Sequence, residues 1–109
     1  MFPKGNLMTS VFQQVKEVQT KIDELQGELA GLRIEGEAGG GMVKAVVNGQ
    51  QELISVKIDG PALADDVELV EDLVTAAVNQ ALGKSRDESQ ERMRQITGGM
   101  LGRLNLPGS

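Results

Sequence analysis

The sequence predicts an α+β fold in the order α-β-β-β-α, with two long helices and a three-stranded antiparallel sheet. Three observations lead there. An apolar seam of helical spacing runs over residues 7–32, period-two alternation fills residues 33–58, and a broad apolar stripe covers residues 70–82. The 109 residues suit one domain, spanning 1–109.

In the first segment, Leu7, Val11, Val15, Val18, Ile22, Leu25, Leu29 and Leu32 are spaced 4, 4, 3, 4, 3, 4, 3. That alternation averages to the repeat of a coiled-coil seam, and Gln, Glu, Lys and Asp fill the other faces. Gly27 and Gly31 weaken the helix by about 1 kcal/mol each relative to Ala. At 1.5 Å per residue the rod is about 39 Å long, whereas a compact domain of this size has a radius of gyration of about 13 Å. The helix must therefore project beyond its own sheet.

Strands are expected at 33–38, 42–48 and 51–58. Asn48-Gly49 supplies the hairpin turn between the last two. Val43, Ala45 and Val47 with Ile54, Val56 and Ile58 form the expected buried face, while Lys44, Ser55 and Lys57 point outward. Such a sheet needs a helical cover. Asp59-Gly60-Pro61 reads as a turn and breaker. The second helix is expected from about Asp65, with Asp65 and Glu68 in capping-box spacing. Val70, Leu73, Val74, Ala77, Val78, Ala81 and Leu82 give it a face wide enough to cover the sheet. After Gly83 it becomes polar and is expected to leave the core; residues 98–109 read as a loose tail. Leu25, Leu29, Val43, Val47, Ile54, Val56, Val70 and Val74 are the expected core and dimerisation positions.

The chain carries no His and no Cys, which removes the usual ligands of zinc and the usual catalytic triads. The acids at 65–72 lack the spacing of a calcium loop. The stretch EGEAGGGMVK places Gly36 and Gly41 five apart, as in a phosphate-binding loop. Met42 and Val43 then occupy the Lys and Ser/Thr positions, and no helix follows. Its glycines are read as a strand connection requiring positive φ. No enzyme activity, cofactor, metal or small-molecule substrate is expected. No apolar run suits a membrane span and the N-terminus lacks a signal pattern, so a cytoplasmic protein with no membrane partner is expected. The absence of cysteine fits a reducing compartment.

Net charge is −5, which argues against a strongly electrostatic nucleic-acid binder. From Lys84 onward, however, five bases face three acids. Two long helices and a sheet are also too much surface for 109 residues to sheathe. A homodimer is therefore expected, the alternative being that the first helix packs on the second within one chain.

Several motifs keep order and spacing with a known family. They are Glu35-Gly36-Glu37-Ala38-Gly39-Gly40-Gly41-Met42-Val43-Lys44, Val47-Asn48-Gly49, Val56-Lys57-Ile58-Asp59, and Asp65-Asp66-Val67-Glu68-Leu69-Val70-Glu71-Asp72-Leu73-Val74 followed by Ala76-Ala77-Val78-Asn79. Asn6-Leu7-Met8 at the start and Gly98-Gly99-Met100 with Leu104-Asn105-Leu106-Pro107-Gly108 at the end agree. Nearly the whole chain resembles the YbaB/EbfC family of bacterial nucleoid-associated proteins. The resemblance implies a tweezer-like homodimer with two projecting helices per chain. It also implies a cytoplasmic, nucleoid-associated protein whose partner is duplex DNA, bound with little sequence preference, and a role in nucleoid organisation and gene regulation. Where the family often has Met in the first helix this chain has Val and Ile, and Gly83 stands where a better helix former is usual. With this resemblance, Lys16, Lys21, Lys84, Arg86, Arg92 and Arg94 become the candidate phosphate contacts. Two Phe and no Trp or Tyr disfavour base stacking, hence single strands. The competing reading is a protein–protein interaction module whose DNA contact is incidental or absent.

Overall fold

The computed structural model describes residues 3–103, with side chains over residues 9–99. The element order is α1 (Pro3–Gly31), β1 (Ile34–Ala38), β2 (Val43–Val47), β3 (Leu53–Ile58), α2 (Gly60–Leu63) and α3 (Val67–Arg103). This is the expected α-β-β-β-α order with one addition. The Asp59-Gly60-Pro61 breaker opens a four-residue helix, because Pro61 lies in its first turn, where a missing N–H costs no bond. The sheet is antiparallel in the order β1-β2-β3. The chain's extents of 79 × 28 × 16 Å and radius of gyration of 21.6 Å confirm that helices project well beyond the sheet.

Positive φ falls on Gly39, Gly40 and Gly41, at 64°, 65° and 93°. Three successive residues in the region that side chains avoid explain the Gly-Gly-Gly run between β1 and β2. The β2–β3 connection differs from the expected two-residue hairpin. Asn48 N–H donates to the Glu52 carbonyl at 3.0 Å, so the turn spans residues 48–52, and Gln51 has the positive φ of 65°. Asn48 Oδ1 organises it by accepting from the N–H groups of Gln50 (2.9 Å) and Glu52 (3.0 Å). Gly49 is needed for proximity instead, since a Cβ there would lie 2.7 Å from Leu29 Cδ2 and 2.9 Å from the Leu29 carbonyl oxygen.

The reason is the end of α1. Its last carbonyls have no partner inside the helix, and the turn provides them. Gly49 N–H donates to Leu29 O at 2.7 Å and Asn48 Nδ2 to Ala30 O at 3.4 Å, while Gln50 Nε2 adds a bond to Gln26 O, a turn earlier, at 3.2 Å. Arg33 Nη1 covers Leu32 O at 2.8 Å and Ala30 O at 3.2 Å, placing positive charge at the helix's negative end. On the other side of the turn, buried Ser85 of α3 donates its hydroxyl to Asn48 O at 2.7 Å.

The core consists of Val43, Ala45 and Val47 on β2, Leu63 on α2, and Ala77 and Ala81 on α3. Half-buried Val56, Val70 and Val74 pack against it, and Leu25 and Leu29 are buried near the end of α1. Ile54 and Ile58 depart from the expected buried face, Ile58 being 44% exposed at the end of the edge strand β3. The register pairs Val46 with Ser55 but Val47 with Leu53, leaving Ile54 unpaired in a bulge and 45% exposed. The α3 cap also shifts by one residue: Asp66 Oδ1 accepts from Leu69 N–H at 3.0 Å, so Leu69, not Glu68, stands at the capping-box position. Helix α3 runs unbroken through Gly83, Gly98 and Gly99 to Arg103, past the point where the sequence reads as a tail. Isolated glycines weaken a helix without ending it, and the first proline beyond them is Pro107. The remainder of the expected tail, 104–109, lies outside the described residues.

At Gly36 a Cβ would collide with the backbone of Ala77 and Ala81, so this residue fixes how closely α3 lies on β1. Gly36→Ala should destabilise the fold by about 1–3 kcal/mol through overpacking against backbone that cannot yield. Gly27→Ala, inside α1 with nothing within 4 Å of the added methyl, should stabilise by up to about 1 kcal/mol. Urea unfolding of the two variants should therefore shift the midpoint in opposite directions.

Candidate nucleic-acid interface

Beyond the sheet, α1 and α3 form an antiparallel pair. Arg92 on α3 bridges it, with Nη1 3.3 Å from Glu28 Oε2 on α1 and Nε 2.8 Å from Glu88 Oε1 one turn back. The hydrogen bond to Glu88 raises the Arg92 pKa above its already high ordinary value, helped by the charges of Glu88 and Glu28. Between the helices lies a groove of about 480 Å³, lined by Glu24, Glu28, Glu88 and Glu91 together with Lys21 and Arg92. Four acids against two bases make it a poor place for a phosphate.

The six candidate bases consequently separate. Arg92 faces α1 and ties the arm together. Lys84 donates from Nζ to Glu35 O at 3.0 Å, on the free edge of β1. One turn earlier, Gln80 Oε1 accepts from Glu37 N–H at 2.8 Å. These two α3 residues satisfy outward backbone groups of β1 and block that edge from further pairing. Lys21 lines the acidic groove. Arg86 and Arg94 are exposed and, with exposed Gln90 between them, recur every four residues on a face of α3 turned away from the groove. Arg94 is paired with Glu91 at 2.8 Å, but its side chain is 72% exposed, so the pair is weak and readily exchanged for another anion. Lys16 is exposed on α1 at a position opposite the Leu25 face.

Sequence reasoning gave Asn48 only a turn role and did not single out Gln80 or Ser85, although these polar side chains tie the helices to the sheet and its turn. A Ser among bases in a polar helix segment gives no sign of burial. Their only signal is the Asn-Gly dipeptide. Lys44 and Lys57, adjacent across β2 and β3, lie on the exposed side of the sheet, with Lys44 4.0 Å from Glu35. Among the described residues, no helix is long and apolar enough to cross a membrane.

A family model for the YbaB/EbfC DNA-binding family matches residues 4–100. A nucleoid-associated protein of Thermoanaerobacter pseudethanolicus is 45% identical over 108 residues, covering 98% of this chain and 94% of that protein. A nucleoid-associated protein of Syntrophobacter fumaroxidans is 47% identical over 97 residues, covering 88% and 84%. Among solved structures, an uncharacterized protein from Helicobacter pylori superposes with a TM-score of 0.61 at 23% identity, covering 81% of this chain and 99% of that one. That likeness concerns the fold. A match across nearly the whole chain, with relatives this similar over most of their own length, shows that the protein belongs to the YbaB/EbfC DNA-binding family, as its motifs implied.

Proposed function

We propose that this protein is a cytoplasmic, nucleoid-associated protein that binds duplex DNA as a homodimer, chiefly through phosphates and with little sequence preference. A part in nucleoid organisation and gene regulation follows from that activity. Membership of a DNA-binding family over residues 4–100 carries the reading. The outward bases Arg86 and Arg94 support it, since an extended helix face carrying bases at intervals of about 12 Å suits a phosphate backbone more than base edges. Lys16 extends the same kind of contact to α1. An acidic groove inside each arm directs DNA to the outer faces.

The two edges of the sheet support the dimer. Gln80 and Lys84 occupy the β1 edge. Among the described residues the β3 edge has no strand beside it, and Leu53, Ile54 and Ile58 are all exposed there. Val67 and Leu69 at the start of α3 are exposed as well. An open strand edge rich in apolar side chains calls for a cover, and a second copy supplies one by symmetry.

In gel-shift titrations against several unrelated duplexes, Arg86→Ala with Arg94→Ala should weaken binding to a similar extent on each. The slope of log affinity against log salt should become shallower by about one unit for each phosphate that is no longer neutralised. Arg92→Gln should lower thermal stability more than it lowers DNA affinity; the reverse result would return Arg92 to the DNA face. In sedimentation equilibrium, Ile58→Asp should convert a dimer to a monomer. Unaltered dimer mass would place the contact elsewhere. If the wild-type protein shifts no duplex at micromolar concentration, the interaction-module reading prevails.

A further inference from the structure

Phe12 is the only aromatic side chain among the described residues, and it is 62% exposed. Its position on α1 separates it from the seam. At 3.6 residues per turn, Phe12 lies about 140° around the helix from buried Leu25 and about 40° from exposed Lys16. Exposed Val11 and Val15 stay within about 80° of Leu25, so they continue the side that lines the groove. Phe12 belongs to the Lys16 face. Seventeen residues of α1 separate it from Leu29, where the helix meets the β2–β3 turn, so the ring stands about 26 Å out along the arm.

The charge around this ring favours an anion. Although the chain carries a net charge of −5, residues 1–16 hold Lys4 and Lys16 and no acid. Glu17, the first acid, projects about 140° away from Phe12. The first acid on the Phe12 face is Asp23, about 16 Å nearer the sheet, where it accepts a hydrogen bond from Gln19 Nε2 at 3.1 Å. An exposed ring beside a base, in an acid-free stretch of an acidic chain, suits a polyanion with an apolar interior. Stacked base pairs behind their phosphates are such a partner. We propose that Phe12 is a wedge that enters between two base pairs of the duplex from the minor groove and kinks it there. This inference rests on the duplex-binding reading above and adds to it a contact with the bases. Lys16 on a flanking phosphate, one turn of helix from the ring, brings the ring to the groove. Apolar side chains inserted in this way unstack a base step and bend DNA toward the major groove. Pyrimidine–purine steps unstack most readily and are the expected insertion points. One ring is sufficient for a kink, whereas single-strand binders stack a run of bases.

Wild-type protein at saturation should raise the energy transfer between dyes at the two ends of a short duplex. Phe12→Ala, a change on an exposed face, should abolish that rise and weaken affinity several-fold. The slope of its log affinity against log salt should stay that of the wild type, because no phosphate contact is lost. Phe12→Leu, which keeps an apolar wedge, should still bend the duplex. Phe12→Trp introduces a single tryptophan into the chain, and its emission should be quenched when duplex is added. Wild-type binding with no change in energy transfer, or equal bending by Phe12→Ala, would overturn the wedge and leave the phosphate contacts standing. Absence of any wild-type binding would overturn both. A monomeric Phe12→Ala protein in sedimentation equilibrium would overturn the wedge by assigning the ring to a contact between copies.

Discussion

The hydrogen bond from Gly49 N–H to the Leu29 carbonyl is the point from which the rest of the arm takes its direction. A helix that leaves its domain must end somewhere inside it, and its last carbonyls must find donors there. Here the β2–β3 turn supplies them, while its own Asn48 carbonyl accepts the Ser85 hydroxyl of α3. One five-residue turn therefore touches the base of both helices. Asn48 Nδ2 adds a 2.7 Å bond to Glu52 Oε1, which stiffens the turn. Because Gly49 lies against both the side chain and the backbone of Leu29 with no room for a Cβ, the position of α1 is set in part by contact with backbone that cannot yield. Gly36 plays the equivalent part for α3 on β1. Two close approaches and one shared turn thus fix the two helices relative to the sheet.

That anchoring explains how a chain of this size sustains so extended a shape. The aliphatic core is small, with Val43 and Val47 its largest fully buried apolar side chains. Farther out, the helices are linked by Arg92, which joins Glu28 of α1 to Glu88 of α3, with buried Leu25 at the wall of the groove between them. The cost of the arrangement is surface: apolar groups remain exposed along β3 and toward the start of α1. A charged inner groove and exposed outer bases then divide the arm into a structural side and a side free to meet an anion.

Much of the fold was legible because its signals are periodic or steric. The alternation in β2 and the α3 stripe each specify an element through repeated burial, the α1 seam specifies its helix by spacing although Val11 and Val15 stay exposed, and Gly39-Gly40-Gly41 marks a turn that side chains disfavour. Where sequence reasoning missed, a tertiary contact had displaced a local rule. Asn48-Gly49 resembles a tight hairpin turn, yet its glycine serves the approach of Leu29. Ile54 fits the alternation but lies at a bulge, which no pattern of side chains announces. Gly98 and Gly99 resemble a stop, but without proline the helix continues. In the candidate interface, the sequence located the basic segment of α3 without showing which bases are engaged. That depends on where Glu28, Glu88 and the Glu35 carbonyl fall in space. Arg92 and Lys84 were consequently indistinguishable from Arg86 until the partners were placed.

The central claim is that this protein holds duplex DNA by its phosphates through the outer faces of its arms. Its most direct test is the affinity of the wild-type protein for two duplexes of unrelated sequence, measured across a series of salt concentrations. Phosphate binding predicts a linear fall of log affinity with log salt, with closely similar slopes and affinities for both duplexes. Affinity that is insensitive to salt, or confined to one of the two sequences, would contradict it.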